Sequence, residues 1–346
     1  MSPLIWSMLL TSLATSTIIT MASHHWLLAW LGLELNTLSV LPLIMKSHHP
    51  RATEATTKYF IIQTSAAALI LFASTMNAWQ TGHWSIITSP SPQTTLIMTT
   101  ALLLKLGAAP THLWYPEILQ GTTMNIALTL ATWQKIAPLS LLMLLHTHLP
   151  IPLILLAGAT STIIGGLTGL NQTQTRKILA FSSIAHMGWL LTALVIDPKL
   201  TTLALTTYMI MTLATFTSMT TTTTKTITDT NTVWSTSPTL LTLTMLSLMS
   251  LGGLPPLTGF MPKLLILNGL ITKNLLPLGV TLALASLPSL FFYIRLAYLI
   301  MLTNPPTSTN TKFNWRFKPH THQNLTTMMA LTTLLLPMTP LMYLTT

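Results

Sequence analysis

Eleven apolar runs follow one another along the chain, at roughly 3–21, 24–45, 54–79, 93–120, 124–146, 150–171, 176–196, 199–222, 238–272, 275–302 and 324–344, bounded by Pro, Gly, His or charged residues. A helix needs about 20 mostly apolar residues to cross a bilayer, so each run is long enough to span and the connections are short. The fold class that follows is an all-α polytopic membrane protein with about eleven transmembrane helices. With 346 residues there is no room for a separate soluble enzyme. Only 6% of the residues are charged, against roughly 25% in a soluble domain.

Two of the runs are interrupted. Met98 to Gly121, MTTALLLKLGAAPTHLWYPEILQG, holds Gly107 and Pro110 inside a segment of spanning length, together with Lys105. A spanning helix gives up backbone hydrogen bonds at such a break only where other protein or a wet cavity takes over the freed groups, so the break signals a cavity. A lysine beside it signals an ion path. Leu248 to Leu267, LMSLGGLPPLTGFMPKLLIL, repeats this chemistry with Gly252, Gly253, Pro255, Pro256, Gly259, Pro262 and Lys263. Counting five runs to each half, Lys105 and Lys263 both fall in the fourth. Five is odd, so the halves cross the membrane in opposite senses, which is an inverted repeat. The expected organisation is a first five-helix repeat at 1–147 with its broken helix at 93–120, a second, inverted repeat at 148–303 with its broken helix at 238–272, and a basic loop and final transmembrane helix at 304–346. The Thr-rich stretch Thr220 to Thr232 is helix in part or wholly loop. Threonine is tolerated in such helices because its hydroxyl bonds back to its own backbone.

Charged side chains within spans cost about 2.5 to 3.5 kcal/mol each at mid-membrane, so those present need a partner, a wet interior or a function. Glu34, Lys105, Lys135 and His186 lie near the centres of their runs, Lys263 lies beside the second break, and Arg295 lies off-centre in its run. Glu54, Glu117, Asp197 and Asp229 fall at helix ends or in loops, which leaves Glu34 as the intramembrane carboxylate. Three lysines cannot all pair with it. Glu34 with Lys105 is the first pairing expected: burial brings the proton affinities of an acid and an amine together, and a proton then passes between them at small free-energy cost. The plainer alternative is a fixed interhelical ion pair. Lys135, in ATWQKIAPL, is too deep to snorkel, since its stem reaches only about a third of the way to either interface, and is placed in a wet interior. Lys263 either moves a proton or caps carbonyls freed at the break. His186, in SSIAHMGWL, can relay a proton, although a lone buried histidine more often only satisfies hydrogen bonds. Arg295, in FFYIRLAYL, does not titrate and is a structural or lipid-contacting group. Glu54 and Lys58, four residues apart, form a helix-surface pair.

The net charge of +10 comes from fifteen basic residues scattered among apolar runs, with no patch or basic helix, which excludes nucleic-acid binding. Zero cysteines exclude disulfides and thiolate-ligated iron–sulfur clusters. The doublets His24/His25 and His48/His49 lie at interfaces without an HExxH or carboxylate–histidine cluster, so no metal site is expected. No GxGxxG or Walker sequence supports nucleotide binding. The opening MSPLIWSMLL has neither a basic n-region nor Arg-rich character, so the first helix is expected to stay in the protein. With eleven spans the termini face opposite sides. Lys46, Arg51, Arg176, Lys177, Lys225, Lys312, Arg316 and Lys318 fall on the N-terminal side, and mainly Lys199 and Lys273 on the other, so the N-terminus is expected to face the compartment of synthesis. Trp26, Trp79 and Trp84 are expected near the opposite interface.

The segments HWLLAWLGLELNTL, SHHPRATEATTKYF, KLGAAPTHLWYPEILQG, TWQKIAPLSLL, GLNQTQTRKILAFSSIAHMGW and SLGGLPPLTGFMPK together carry a resemblance to a known family. The chain resembles the vertebrate-type mitochondrial NADH–ubiquinone oxidoreductase chain 2 family, antiporter-like membrane-arm subunits of respiratory complex I, over essentially its whole length. The resemblance implies inverted five-helix repeats similar to those of cation/proton antiporters, in a form lacking the first three helices of bacterial relatives. Residue by residue, it implies Glu34 and Lys105 as the family's glutamate–lysine pair, Lys135 as the bridging lysine, Lys263 as the lysine leading to the outlet, and His186 as a mid-membrane histidine of the connecting hydrophilic axis. It implies no redox cofactor in this chain, with NADH, flavin, iron–sulfur clusters and ubiquinone bound by other subunits. The implied partners are mitochondrially and nuclear-encoded subunits of the complex, including the neighbouring antiporter-like subunit, and membrane lipid such as cardiolipin. The implied location is the mitochondrial inner membrane, with the N-terminus in the matrix and the C-terminus on the intermembrane-space side. The expected function is that of a core membrane subunit of proton-pumping NADH:ubiquinone oxidoreductase. An autonomous cation/proton antiporter and a structural membrane scaffold are the alternatives.

Overall fold

The computed structural model of the chain describes residues 3–46, 48–86, 91–232, 238–302 and 325–345, and among these every regular element is helical. The chain divides into two compact units, Met1–Thr160 and Ser161–Thr346. The first is built from α1 (Pro3–Ala22), α2 (Trp26–Met45), α3 (Pro50–Thr81), α4 (Pro92–Leu106), α5 (Trp114–Gly121), α6 (Met124–Ala131) and α7 (Trp133–Leu144). The following α8 (Ile151–Gly169) begins in the first unit and ends in the second, which continues with α9 (Thr175–Ile196), α10 (Pro198–Thr221), α11 (Ile227–Thr232), α12 (Pro238–Gly252), α13 (Phe260–Thr272) and α14 (Leu276–Leu302). Two short helices, Leu325–Leu334 and Thr339–Thr345, close the described chain. The basic residues Lys312, Arg316 and Lys318 of the expected loop lie outside the described residues.

Eight of the described segments are single helices, or near-continuous ones, long and apolar enough to cross a membrane. The three expected spans that fall short as single helices are those the structure divides, α4 with α5, α12 with α13, and the two final helices. Their divisions fall at Gly107–Leu113, at Gly253–Gly259 and around Pro337, where glycine and proline interrupt the hydrogen-bond ladder. At 32 residues α3 is about 48 Å long, well beyond the roughly 30 Å of hydrocarbon. Its polar first turns, Pro50 to Lys58, are the part that overshoots, because the apolar stretch begins at Tyr59.

Local chemistry sets the helix starts. The ring nitrogen Nδ1 of His25 accepts from the Leu27 N–H, and that of His49 accepts from the Arg51 N–H, so one histidine of each interfacial doublet is an N-cap. Asp197 caps α10 in the same way through Lys199 N–H. Thr-rich helices hold because the hydroxyls bond back one turn: in α10, Thr201, Thr206, Thr207, Thr212, Thr215, Thr217, Thr220 and Thr221 all donate to carbonyls three or four residues earlier. The stretch from Thr220 to Thr232 proves to be helix, turn and helix. Its turn is tied to the loop before α9 by Ile227 N–H to Thr173 O and Thr175 N–H to Lys225 O. Asp229 accepts from the backbone N–H groups of Thr226 and Lys225, and these bonds, the Thr226 one foremost, hold its carboxyl below the usual carboxylate range.

Two expectations change on packing grounds. Trp26 is 1% exposed, covered by the segment that follows α3, where its backbone N–H donates to Trp84 O. The ring packs in protein and does not meet headgroups, whereas Trp79 is 84% exposed. Lys58 does not pair with Glu54 alone. Its Nζ lies 2.7 Å from both Glu54 Oε1 and Glu117 Oε2, so it joins the start of α3 to the first turn of α5.

Candidate functional site

Both broken helices end their first half in the same way. Gly107 and Gly253 adopt left-handed φ of 68° and 82°, which glycine tolerates without strain. The N–H of the next residue then reaches back five positions, Ala108 to Leu103 O and Leu254 to Met249 O, as in a Schellman cap. One constant spacing carries Pro92 onto Pro238, Gly107 onto Gly253, Pro110 onto Pro256, Trp114 onto Phe260 and Pro116 onto Pro262. It also carries Glu117 onto Lys263, and Lys105 onto Leu251. The two lysines share the fourth segment of their halves but stand on opposite sides of the break. Lys105 lies in the last turn of α4. Lys263 lies in the first turn of α13 and reaches back, so that its Nζ donates to Gly252 O at 2.8 Å. Both lysines thus belong to the carbonyl end of a first half-helix, where the helix dipole favours a cation, but of the two it is Lys263 that bonds a carbonyl there.

In the first unit, Lys105 and Lys135, 5% and 3% exposed, line one enclosed chamber with Asn36, Tyr59, Gln63 and Gln134. Its free volume of about 20 Å³ has room for roughly one water. Lys135 Nζ stands 5.3 Å from the centre of the Tyr115 ring, a cation–π distance. Gln134 Nε2 donates to Asn36 Oδ1 at 2.9 Å, Tyr59 hydroxyl donates to Gln134 Oε1 at 3.4 Å, and Gln63 Nε2 donates to the Lys105 carbonyl at 3.4 Å. These amides were not singled out in the sequence, although Asn36 is two residues from Glu34 and Gln134 adjoins Lys135. Uncharged polar residues barely disturb the hydropathy of a run, so only their nearness to a flagged charge pointed to them.

Glu34 and Lys105 do not touch. Among the described residues Glu34 Oε2 and Lys105 Nζ are both buried without a hydrogen-bond partner, and the glutamate acts on the lysine only through space. The expected contact pair is replaced by two separated groups. The side chain of Glu34 is set off from the chamber, while its helix contributes Leu33, Asn36 and Thr37 to the wall.

In the second unit, His186 and Lys263 line another small cavity, also about 20 Å³, with Tyr208 and Trp189. The His186 ring lies 5.5 Å from that of Tyr208, and Lys263 Nζ lies 5.9 Å from the Trp189 ring. On its other side Lys263 borders a wider, open, mainly apolar cavity of about 480 Å³. Arg295 donates from Nη1 to Leu170 O at 2.9 Å. Lys273 caps the end of α9 through the carbonyls of Val195 and Ile196. Among the described residues no three His, Asp or Glu side chains gather as a metal site would need.

Residues 23–289 match the family model of the NADH:quinone oxidoreductase/Mrp antiporter transmembrane region, and residues 290–343 match that of the NADH dehydrogenase subunit 2 C-terminus. NADH-ubiquinone oxidoreductase chain 2 of Varanus melinus is 51% identical over 343 residues, covering 99% of both chains; that of Squalus acanthias is 49% identical over 348 residues, covering 100% of both. The chain belongs to the NADH-ubiquinone oxidoreductase chain 2 family. Fold likeness to solved structures extends further than this family. A chain of respiratory complex I from Thermus thermophilus superposes with a TM-score of 0.81 at 24% identity, over 95% of this chain and 78% of that one. A chain of the Mrp complex of Dietzia sp. superposes with a TM-score of 0.78 at 18% identity, over 88% and 62%. The chain 2 family assignment thus joins an all-helical, antiporter-like fold to a chain whose buried cations sit at helix breaks.

Proposed function

We propose that this chain works as the antiporter-like, proton-pumping membrane subunit of NADH:ubiquinone oxidoreductase, respiratory complex I, in the mitochondrial inner membrane, and that Glu34, Lys105, Lys135, His186 and Lys263 carry or transmit the charge. Full-length chain 2 relatives at about half identity support the assignment to the complex. The observation that carries the residue roles is the chamber that holds two buried lysines against room for one water, with no carboxylate in its wall. Among the described residues Lys105 Nζ is buried without a hydrogen-bond partner, and a second lysine lining the same water-sized space gives a proton somewhere to go. Glu34, which makes no hydrogen bond to Lys105 but acts on it through space, is the carboxylate we assign to bias it.

Moving a charge through the membrane field costs about 2.3 kcal/mol per 100 mV, so the energy comes from redox chemistry in other subunits of the complex. The organisation into repeats at 1–147 and 148–303 with a final helix, the matrix-side N-terminus and partnership with a neighbouring antiporter-like subunit and lipid such as cardiolipin belong to the same proposal.

The test is the proton-to-electron ratio of intact complex carrying Lys105→Met, with assembly checked on the same preparation. A lowered ratio, or coupled loss of turnover at normal assembly, is expected. An unchanged ratio with normal turnover would move the chain to the scaffold reading. For Lys263 that reading has an observation in its favour, the bond to Gly252 O, which caps a helix end without moving a proton. An autonomous antiporter would exchange sodium for protons as purified chain in proteoliposomes, and no exchange is expected.

A further inference from the structure

A groove in the second unit begins at Arg295 and runs along α14 past Phe291, Pro288 and Leu287, with Leu170 and Asn171, just after the end of α8, as its other wall. Its volume is about 640 Å³, within the roughly 300–1,000 Å³ of typical ligand sites. The depth of its charged end follows from geometry. The 19 residues of α8 measure about 28 Å, close to the hydrocarbon thickness. Arg295 Nη1 donates to Leu170 O, the carbonyl just past the last residue of α8. The guanidinium is therefore level with the hydrocarbon boundary, on the face that carries Arg176 and Lys177 at the start of α9. One turn further along α14, Tyr298 is 60% exposed, as suits a ring with a polar tip at headgroup level. In the other direction, Phe291 and Leu287 are 58% and 59% exposed along the groove toward the bilayer interior. Among the described residues no carboxylate pairs with Arg295.

We propose that this groove binds one anionic phospholipid, its phosphate on the Arg295 guanidinium and an acyl chain along Leu287 and Phe291. With Nη1 committed to Leu170 O, the remaining guanidinium N–H donors are free for phosphate oxygens, which they fit in planar, two-pronged geometry. The basic residues at the start of α9 favour a headgroup of net negative charge over one whose phosphate is offset by its own cation. The groove gives a place to the lipid partnership proposed above and is independent of the proton path.

The experiment is cryo-electron microscopy of the intact complex in nanodiscs of phosphatidylcholine alone and of phosphatidylcholine with phosphatidylglycerol, alongside a mass-spectrometric count of tightly retained anionic phospholipid. The anionic discs should show headgroup density against Arg295 and a chain in the groove, and the phosphatidylcholine discs should not. Arg295→Gln should lose the headgroup density. Because that variant also uncaps Leu170, Leu287→Trp, which fills the groove and leaves the cap intact, should lower the retained count by one. Equal density in both discs, an unchanged count in Leu287→Trp, or a neighbouring subunit's helix lying in the groove would overturn the site. The proton-to-electron ratio should be unchanged in Leu287→Trp, so failure of the lipid site and failure of the proton proposal read out separately.

Discussion

At the scale of single residues, the charges were legible because each breaks the hydropathy of its run, whereas their partners were not. Asn36 is 2% exposed and accepts from Gln134. Leaving a buried polar group unsatisfied costs about 1 to 3 kcal/mol. Gln134→Leu should therefore destabilise the subunit by about that amount, seen as a lower thermal midpoint of the complex, and Asn36→Leu in the same background should recover part of it in a double-mutant cycle. Strictly additive losses would show that the bond contributes nothing. Lys263 separates two chemistries. Lys263→Gln keeps an N–H donor for Gly252 O but cannot carry a proton, so it should preserve assembly and lower the proton-to-electron ratio. A normal ratio would leave Lys263 as a cap. The direct Glu34–Lys105 contact was an inference from charge balance alone, and no sequence signal states the distance between two side chains on different helices.

At the scale of elements, runs and breaks were placed to within a few residues, because glycine and proline act through local backbone geometry that the sequence states directly. Which side of a break its lysine serves was not local. Lys263 follows its break, yet its long stem returns the ammonium to the end of α12, a path decided by packing against Trp189. Close crossings were equally hidden. A Cβ on Gly165 of α8 would stand 2.6 Å from Ala185 N and 2.9 Å from Phe181 O on α9. Gly165→Ala must therefore push the helices apart, at about 1 to 3 kcal/mol. The expected result is lower subunit abundance at unchanged turnover per assembled complex, checked by quantitative blotting; wild-type abundance would mean that the crossing relaxes freely. The α10–α11 turn has a pH dependence of known sign. Asp229 is held below its unfolded value of about 3.9, so its contribution is complete above that pH and is lost as pH falls through the lower folded value. Cleavage in this turn by an acid-stable protease should be flat from pH 8 to about 5 and rise only below about 4.

At the scale of the whole molecule, sidedness rests on charge asymmetry and is testable in a chain with zero cysteines. Thr228→Cys, on the basic side of the second unit, should react with an impermeant maleimide only from the matrix face, and Thr272→Cys only from the other; the reverse pattern would invert the topology. By itself the sequence determined the membrane class, the number and limits of the spans, the two breaks, the buried charges and the family. All of these follow from local composition, because bilayer thickness and backbone hydrogen bonding act on consecutive residues. Only the tertiary structure decided that Lys105 and Lys135 share a chamber with room for roughly one water, that Glu34 makes no hydrogen bond to Lys105, that Trp26 is buried, and that Lys58 bridges two glutamates. These outcomes turn on whether side chains distant in the chain meet or miss one another, which is set by how helices cross and which small residues let them approach, and no run of neighbouring residues records it.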